Sequence, residues 1–486
     1  MKRASGVLLH ISSLPGQHSI GSLGKSARRF VDFLKSAGFT YWQILPINET
    51  DDCNSPYKSP SAFAGNPLFI SLEELHLQGL LNKSELDEHQ QKTPYSCEFD
   101  ILRKTRLPLL RKAFSRIGQD IKLKAESFAN QNKQIAEYAD FMALKAANGG
   151  KRWQDWETTE ADKNEVGFYR FLQYEFFRQW NDLKIYANKN NVKIIGDMPI
   201  YVSEDSADVY YNRKIFLLDP QGDPLAGAGV PPDYFSETGQ NWGNPLYDWD
   251  ELKKTGYKWW IERIEHSLRL FDKVRIDHFR GFSEFWSIPK DREPIDGKWE
   301  KGPGMDFFNE LKKVIPKPEI IAEDLGDIDI KTVELLKKTK FPGMKVMQFG
   351  FMDGSDSVHL PHNYIENTVA YIGTHDNNTL LGWLWELVPE AREWVLDYCG
   401  YTNGDWSSGG AGAGAIRSVI RALYLSAAGV VILTIQDLCG YGRDTRINIP
   451  GKSENNWAFR ITEEQLGTID KSWIIKMNKT YKRNIL

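Results

Sequence analysis

Three carboxylates stand at the ends of short apolar runs: Asp277 in VRIDHF, Glu323 in IIAEDLG and Asp376 in YIGTHDNNT. Each run reads as a buried strand, so each acid sits where the backbone leaves the core and enters a loop. In a parallel α/β barrel that is where active-site residues gather, at the C-terminal ends of several strands. The chemistry such acids can share is cleavage of a glycosidic bond. With retention, one carboxylate attacks the anomeric carbon while a second, protonated acid about 5 to 5.5 Å away serves the leaving oxygen. Arg275 lies two residues before Asp277 and shares its face on a strand, which predicts an ionised, nucleophilic Asp277. Glu323 follows Ile320, Ile321 and Ala322, apolar walls that push a carboxyl toward the pKa of a general acid. Asp376, beside His375, Asn377 and Asn378, has partners with which to grip sugar hydroxyls. Each acid also has a plainer reading: an internal Arg275–Asp277 salt bridge, a capping turn in AEDLG, and a strand-end turn in THDNNT. Their conjunction favours catalysis.

Eight β-rich runs must position these acids: GVLLHI (6–11), YWQILPI (41–47), VKIIGDMPI (192–200), KVRIDHF (273–279), EIIAEDLG (319–326), MKVMQFGF (344–351), TVAYIGTHD (368–376) and VVILTIQDL (430–438). Helical patterns separate most of them, as in 24–37, where Ala27, Phe30, Val31, Phe33 and Leu34 share a face and Gly38 ends the element. Alternation of this kind predicts an α/β chain folded as a (β/α)8 TIM barrel, with a doubly wound open sheet as the alternative. The expected organisation is a single catalytic domain over 1–486, with a helical subdomain inserted at 71–187, too long for a crossover, and a Gly-, Pro- and aromatic-rich lid or loop region at 201–250 at the barrel mouth. The run 425–435 reads as a helix end followed by a buried strand.

Composition narrows the partners. Lys plus Arg total 61 against 65 Asp plus Glu, a net charge of -4, so no nucleic-acid footprint is expected and a neutral substrate fits. Cys53, Cys97, Cys399 and Cys439 form no CxxC pair and no zinc spacing, which predicts no metal, no disulfide framework and a cytoplasmic setting. No cofactor motif is present. The first sixteen residues, MKRASGVLLHISSLPG, lack a signal-peptide core, and no run approaches the roughly 20 apolar residues that span a membrane, so no membrane partner is expected.

The segments HISSLPG, NSPYKSPSAFAGNP, GDMPIYV, GVPPDYFSETGQNWGNPLY, VRIDHFRGF, AEDLG, GTHDNNT and the late QDL with RINIPG follow one another from the N-terminus to about residue 460. Eight in order resemble the 4-α-glucanotransferases known as amylomaltases or disproportionating enzymes, glycoside hydrolase family 77 of the α-amylase clan. The resemblance implies a barrel without the β-sandwich that many clan relatives carry after it, and α-1,4-glucans and maltooligosaccharides as donor and acceptor. It implies Asp277 as nucleophile, Glu323 as acid/base and Asp376 as stabiliser of the distorted sugar. It implies that Arg275 steadies the nucleophile, that Asp197 helps hold Arg275, and that His278 and His375 bond sugar hydroxyls or the acids. Ser55 and Tyr57 of NSPY would meet the donor sugar, with Tyr57 stacked beneath it. Asp233, Tyr234, Phe235, Gln240 and Trp242 would form a lid on the acceptor side, although the aromatics could equally plug the loop onto the barrel. Asn448 would touch sugar or cap a turn. The chain departs from the family at NETDDCNSPY (48–57), where Asp51, Asp52 and Cys53 replace a Gly-containing segment with an aromatic, leaving glucan-length preference and ring formation open. An amylase-type hydrolase and a non-catalytic glucan-binding barrel are the competing functions.

Overall fold

The structure, a computed structural model, describes residues 1–232, 237–352, 354–452 and 454–483. Its strands, in chain order, are β1 (Ala4–Leu8), β2 (Tyr41–Gln43), β3 (Lys193–Met198), β4 (Ala226–Val230), β5 (Gln240–Pro245), β6 (Lys273–Ile276), β7 (Glu284–Pro289), β8 (Lys298–Lys301), β9 (Ile320–Ala322), β10 (Gly343–Val346), β11 (Thr368–Tyr371) and β12 (Val430–Thr434). Eight of them form one parallel sheet in the order β10-β11-β12-β1-β2-β3-β6-β9. The two ends meet where Ala322 N–H donates to Pro342 O (2.9 Å) and Met344 N–H to the Asp324 carboxylate (2.6 Å). All eight expected runs therefore become staves of one nearly closed barrel, and the open-sheet alternative is set aside.

Period-2 alternation explains how the staves bury both faces. Ala4, Leu8, Tyr41, Ile195, Ile321, Met344, Val346, Val369, Tyr371, Val430 and Ile432 pack against one another in the interior. Val7, Trp42, Ile194, Val274, Ile276, Ala370, Val431 and Leu433 face outward into the core shared with the helices, including Phe30, Val31 and Leu34 of the helix Lys25–Ala37. Gly6 is required at its interior position, because a Cβ there would lie 2.6 Å from Tyr41 Cβ and 2.7 Å from Ile432 Cδ1.

Between β2 and β3 lie helices Phe99–Ser115, Gln119–Gln131, Lys133–Ala147 and Lys163–Lys189 among others. The stretch 201–250 differs from the expected loop. Its glycine-rich AGAGV folds as β4 and its QNWGNP as β5, joining β7 and β8 in a four-stranded antiparallel sheet ordered β5-β4-β7-β8. Glycine there is a packing requirement: a Cβ on Gly229 would stand 2.0 Å from the carbonyl oxygen of Gln240. Such a strand carries none of the β-branched alternation that marks strands in sequence. Among the described residues no helix is long and apolar enough to cross a membrane.

Candidate active site

Strand parity delivers the acids. Ile195, Arg275 and Ile321 stand two residues before Asp197, Asp277 and Glu323, so these acids continue the interior faces of β3, β6 and β9 as the chain rises out of the barrel. The ladders extend past the formal strand ends to hold them: Asp277 N–H donates to Met198 O and Glu323 N–H to Ile276 O, each at 3.0 Å. A cleft of about 1330 Å³ opens there, lined by Asp277, Glu323 and Asp376. Ser55, Tyr57, Gln240, Trp242, Arg275, His278, His375 and Asn448 share its wall. That volume exceeds the ordinary range for one small ligand and suits several sugar rings.

Arg275, 4% exposed, is the hub. Its Nη1 donates to both carboxylate oxygens of Asp197 (2.7 and 2.8 Å), and its Nη2 pairs with Asp277 Oδ1 (2.8 Å). Tyr57 OH donates to Asp197 Oδ2 (2.7 Å) and lies 2.9 Å from His375 Nε2, with the two rings stacked at 5.4 Å. Asp197 itself is buried behind the cleft wall, where it holds Arg275 and Tyr57. A charge so buried needs such partners.

Glu323 is held differently. Its Oε2 accepts from His278 N–H (2.7 Å) and its Oε1 from Leu325 N–H (2.9 Å). His278 adopts the left-handed conformation (φ 48°, ψ 51°), uncommon for a residue with a Cβ, and that turn aims its N–H at the acid. Removal from water raises Glu323 to about 8, with Arg275 opposing and Asp277 adding to the rise. Asp277 is also raised, to about 6, because burial outweighs the pull of Arg275. Arg275 pairs with Asp277, as the spacing predicts, but desolvation is the larger effect and lifts the carboxyl against that pull, leaving Asp277 the lower and Glu323 the higher of the two. Burial, and then Arg280, lowers His278 to about 4, and its Nε2 is buried with no hydrogen-bond partner.

Asp376 faces Asn448, whose Nδ2 donates to Oδ1 (2.6 Å), and His375, whose Nε2 is 3.2 Å from Oδ2. Asn448 therefore touches an acid rather than capping its own turn. The local turn bonding in THDNNT is made by Asn377, whose Oδ1 accepts from Thr374 N–H (2.9 Å). Ser55 lines the cleft while its Oγ accepts from Tyr57 N–H (3.3 Å), and Asp51 accepts from Ser55 N–H (2.9 Å), so the divergent 48–57 segment is a turn closed by its own aspartate. Trp242 meets His278 edge to face at 5.0 Å and donates to Gln240 Oε1 (3.2 Å). Asp233, Tyr234 and Phe235 lie outside the described residues.

Two contributors escaped sequence reasoning. Trp457 packs at 5.8 Å from Tyr57 and 5.9 Å from His375, holding a positive φ of 65° that its N–H bond to Ile447 O (2.7 Å) maintains. Arg446 donates to the backbone oxygen of Asp376 (2.5 Å). Arg446 belongs to the motif RINIPG, whereas Trp457 sits in NNWAF, a stretch with no pattern. Among the described residues no group of three or more His, Cys, Asp or Glu is placed to hold a metal ion.

The sequence matches, over residues 9–465, the model of glycoside hydrolase family 77, described as 4-alpha-glucanotransferase. A 4-alpha-glucanotransferase of Clostridium butyricum is 43% identical over 98% of this chain and 100% of its own. One from Streptococcus pneumoniae is 41% identical over 99% of this chain and 98% of its own. Among solved structures, the amylomaltase from Streptococcus agalactiae in complex with acarbose matches with a TM-score of 0.95 at 38% identity, covering 99% of this chain and 100% of that one. The Corynebacterium glutamicum amylomaltase, 19% identical, shares the fold at a TM-score of 0.81 over 99% of this chain and 75% of that one.

Proposed function

This chain belongs to the 4-alpha-glucanotransferase family, glycoside hydrolase family 77, and from that membership we propose how its own residues carry out the reaction. The activity is transfer of a segment of a 1,4-α-D-glucan to the 4-hydroxyl of an acceptor glucan or glucose, by retaining double displacement. In the first half, an Asp277 carboxylate oxygen bonds to C1 of the donor sugar as the C1–O4 bond breaks. Glu323, protonated at neutral pH, gives its proton to the departing oxygen. In the second half, the 4-hydroxyl of the acceptor loses its proton to Glu323, bonds to C1 and releases the Asp277 carboxylate. Asp376, fixed by Asn448, accepts hydrogen bonds from donor hydroxyls that strengthen as positive charge grows at the ring. Arg275 orients Asp277 and is itself held by Asp197, while His278, which lines the cleft, gives its backbone N–H to Glu323. Tyr57 and Trp457 supply a ring wall on the donor side and Trp242 one on the acceptor side.

The observation that supports these roles best is the pair of separated environments in one cleft. Asp277 is bound to a guanidinium and Glu323 to two backbone N–H groups. Maltooligosaccharides as both donor and acceptor belong to the same proposal, as does a cytoplasmic setting, where the four cysteines, all free thiols, stay reduced. Incubation with maltotriose should yield glucose and a ladder of longer oligomers. Shortened products with a net gain of reducing ends would instead identify an amylase-type hydrolase. Asp277→Asn should cost at least about 10³-fold in kcat with glucan affinity largely retained. Undiminished turnover in that variant would remove Asp277 from the nucleophile's role.

A further inference from the structure

The acceptor-side wall of the cleft belongs to the antiparallel sheet, not to the barrel, and something must hold it at a fixed distance from the reacting carbon. Arg280 lies three residues beyond Asp277, on the turn Phe279–Phe282, and is 6% exposed. Its guanidinium carbon sits 3.8 Å from the ring centre of Trp299 on β8, and its Nη1 donates to the backbone oxygen of Asp327, in the loop that begins at Glu323. Arg280 Nε is buried without a hydrogen-bond partner, and the indole face together with the charge of nearby Asp329 helps offset the burial of this cation. Trp299 stands directly opposite Trp286 on β7 and meets it edge on at 5.1 Å. Trp286 is fixed in turn by its Nε1–H bond to Pro294 O (2.8 Å) and pairs in register with Gly229 of β4, which pairs with Asn241 beside Trp242. One side chain thus ties together the segment after the nucleophile, the segment after the acid and the sheet that carries Trp242. Arg280, Trp299 and Asp327 all line the cleft.

We propose that the Arg280–Trp299 stack is a latch that divides the glucosyl-enzyme between a glucan acceptor and water; the inference rests on the transfer reading above. In both fates the ester bond between C1 and Asp277 breaks and Glu323 takes the proton of the incoming O–H. Only the bond formed differs, C1 to O4 of a glucan or C1 to the oxygen of water. Which nucleophile wins depends on whether an acceptor ring is held at C1 and bulk water is kept out. A sheet pinned through Arg280 keeps Trp242 in register with both acids; a loosened sheet lets water compete.

The test compares the parent protein with Trp299→Leu, Arg280→Lys and Trp299→Phe on maltotriose, measuring reducing ends gained per glucose released. Leucine removes the π face, and lysine keeps the charge but loses the planar fork. Trp299→Leu should raise the hydrolytic ratio about tenfold, the size expected for a desolvated cation–π contact, and Arg280→Lys should raise it by a smaller factor, since the ammonium keeps part of the attraction but not the fork that also reaches Asp327. Phenylalanine retains a ring and should stay near the parent. An unchanged ratio in Arg280→Lys and Trp299→Leu, with cooperative unfolding preserved, overturns the latch, as does a shift in Trp299→Phe as large as that in Trp299→Leu. Should the leucine variant not fold, Arg280→Lys and Trp299→Phe decide alone. A parent protein that makes no ladder at all overturns the transfer reading rather than the latch.

Discussion

At neutral pH, a carboxylate that titrates near 6 and a carboxylic acid that titrates near 8 can divide attack from proton donation without exchanging roles. The pH dependence follows with its signs. Asp277 must be ionised, so kcat/KM should fall as pH drops below about 6. Glu323 must be protonated, so it should fall again as pH rises above about 8. A profile that shows neither the fall below about 6 nor the fall above about 8 would contradict the two roles. The same raised carboxyl has a cost in stability. Between 4.5 and about 8, Glu323 is protonated in the folded chain and ionised in the unfolded one, so its contribution is complete below that interval and is lost as pH climbs through it. Glu323→Gln cannot titrate. Its melting temperature relative to the parent should therefore rise by several degrees across the interval in scanning calorimetry, whatever offset the amide introduces. Parallel drift in the two proteins would argue against a raised Glu323.

Among the elements, the strand ends carry the site. β9 is only three residues long, so the point at which it releases Glu323 depends on its neighbour. Asp324 accepts from Met344 N–H (2.6 Å) and pairs with Lys345 (3.3 Å), both on β10. Gly343 leaves room for it: a Cβ there would meet both Asp324 carboxylate oxygens at 2.7 Å. Gly343→Ala should therefore destabilise the fold by about 1–3 kcal/mol, the usual cost of overpacking, and lower kcat more than it changes KM. Urea titration and steady-state kinetics would check both, and a neutral variant would mean that Asp324 does not set this seam. The barrel staves were readable because each is a short local apolar run set between helical patterns. β4 was not, because its glycines are demanded by the approach of β5, a contact that exists only in the folded sheet.

Across the whole molecule, the helices between β2 and β3 do more than fill space. Gln173, fully buried on the helix Lys163–Lys189, accepts from Gly65 N–H (2.8 Å) and donates to Gly65 O (2.9 Å), and Gln179 accepts from Ser71 N–H (2.8 Å). These bonds dock the segment that follows Ser55 and Tyr57 onto a helix more than a hundred residues later. Gln173→Leu would leave both backbone groups of Gly65 unpaired, a loss of roughly 2–5 kcal/mol in a denaturant titration, with a raised KM for maltotriose as Tyr57 loosens. Unchanged stability and KM together would show that the helix does not position the donor wall.

What the sequence determined by itself was local in origin. Short apolar runs alternating with helical patterns marked the eight staves, and the order of short motifs around Asp277, Glu323 and Asp376 pointed to retaining chemistry on glucans. The tertiary structure decided what depends on distant neighbours: Asn448 against Asp376, Trp457 beside Tyr57, the antiparallel sheet with its tie to Arg280, and the balance in which desolvation outweighs Arg275 at Asp277. The division has one physical reason. Strand periodicity is written into adjacent residues, whereas burial and the pKa values it sets arise only when segments far apart in the chain close around the same cleft.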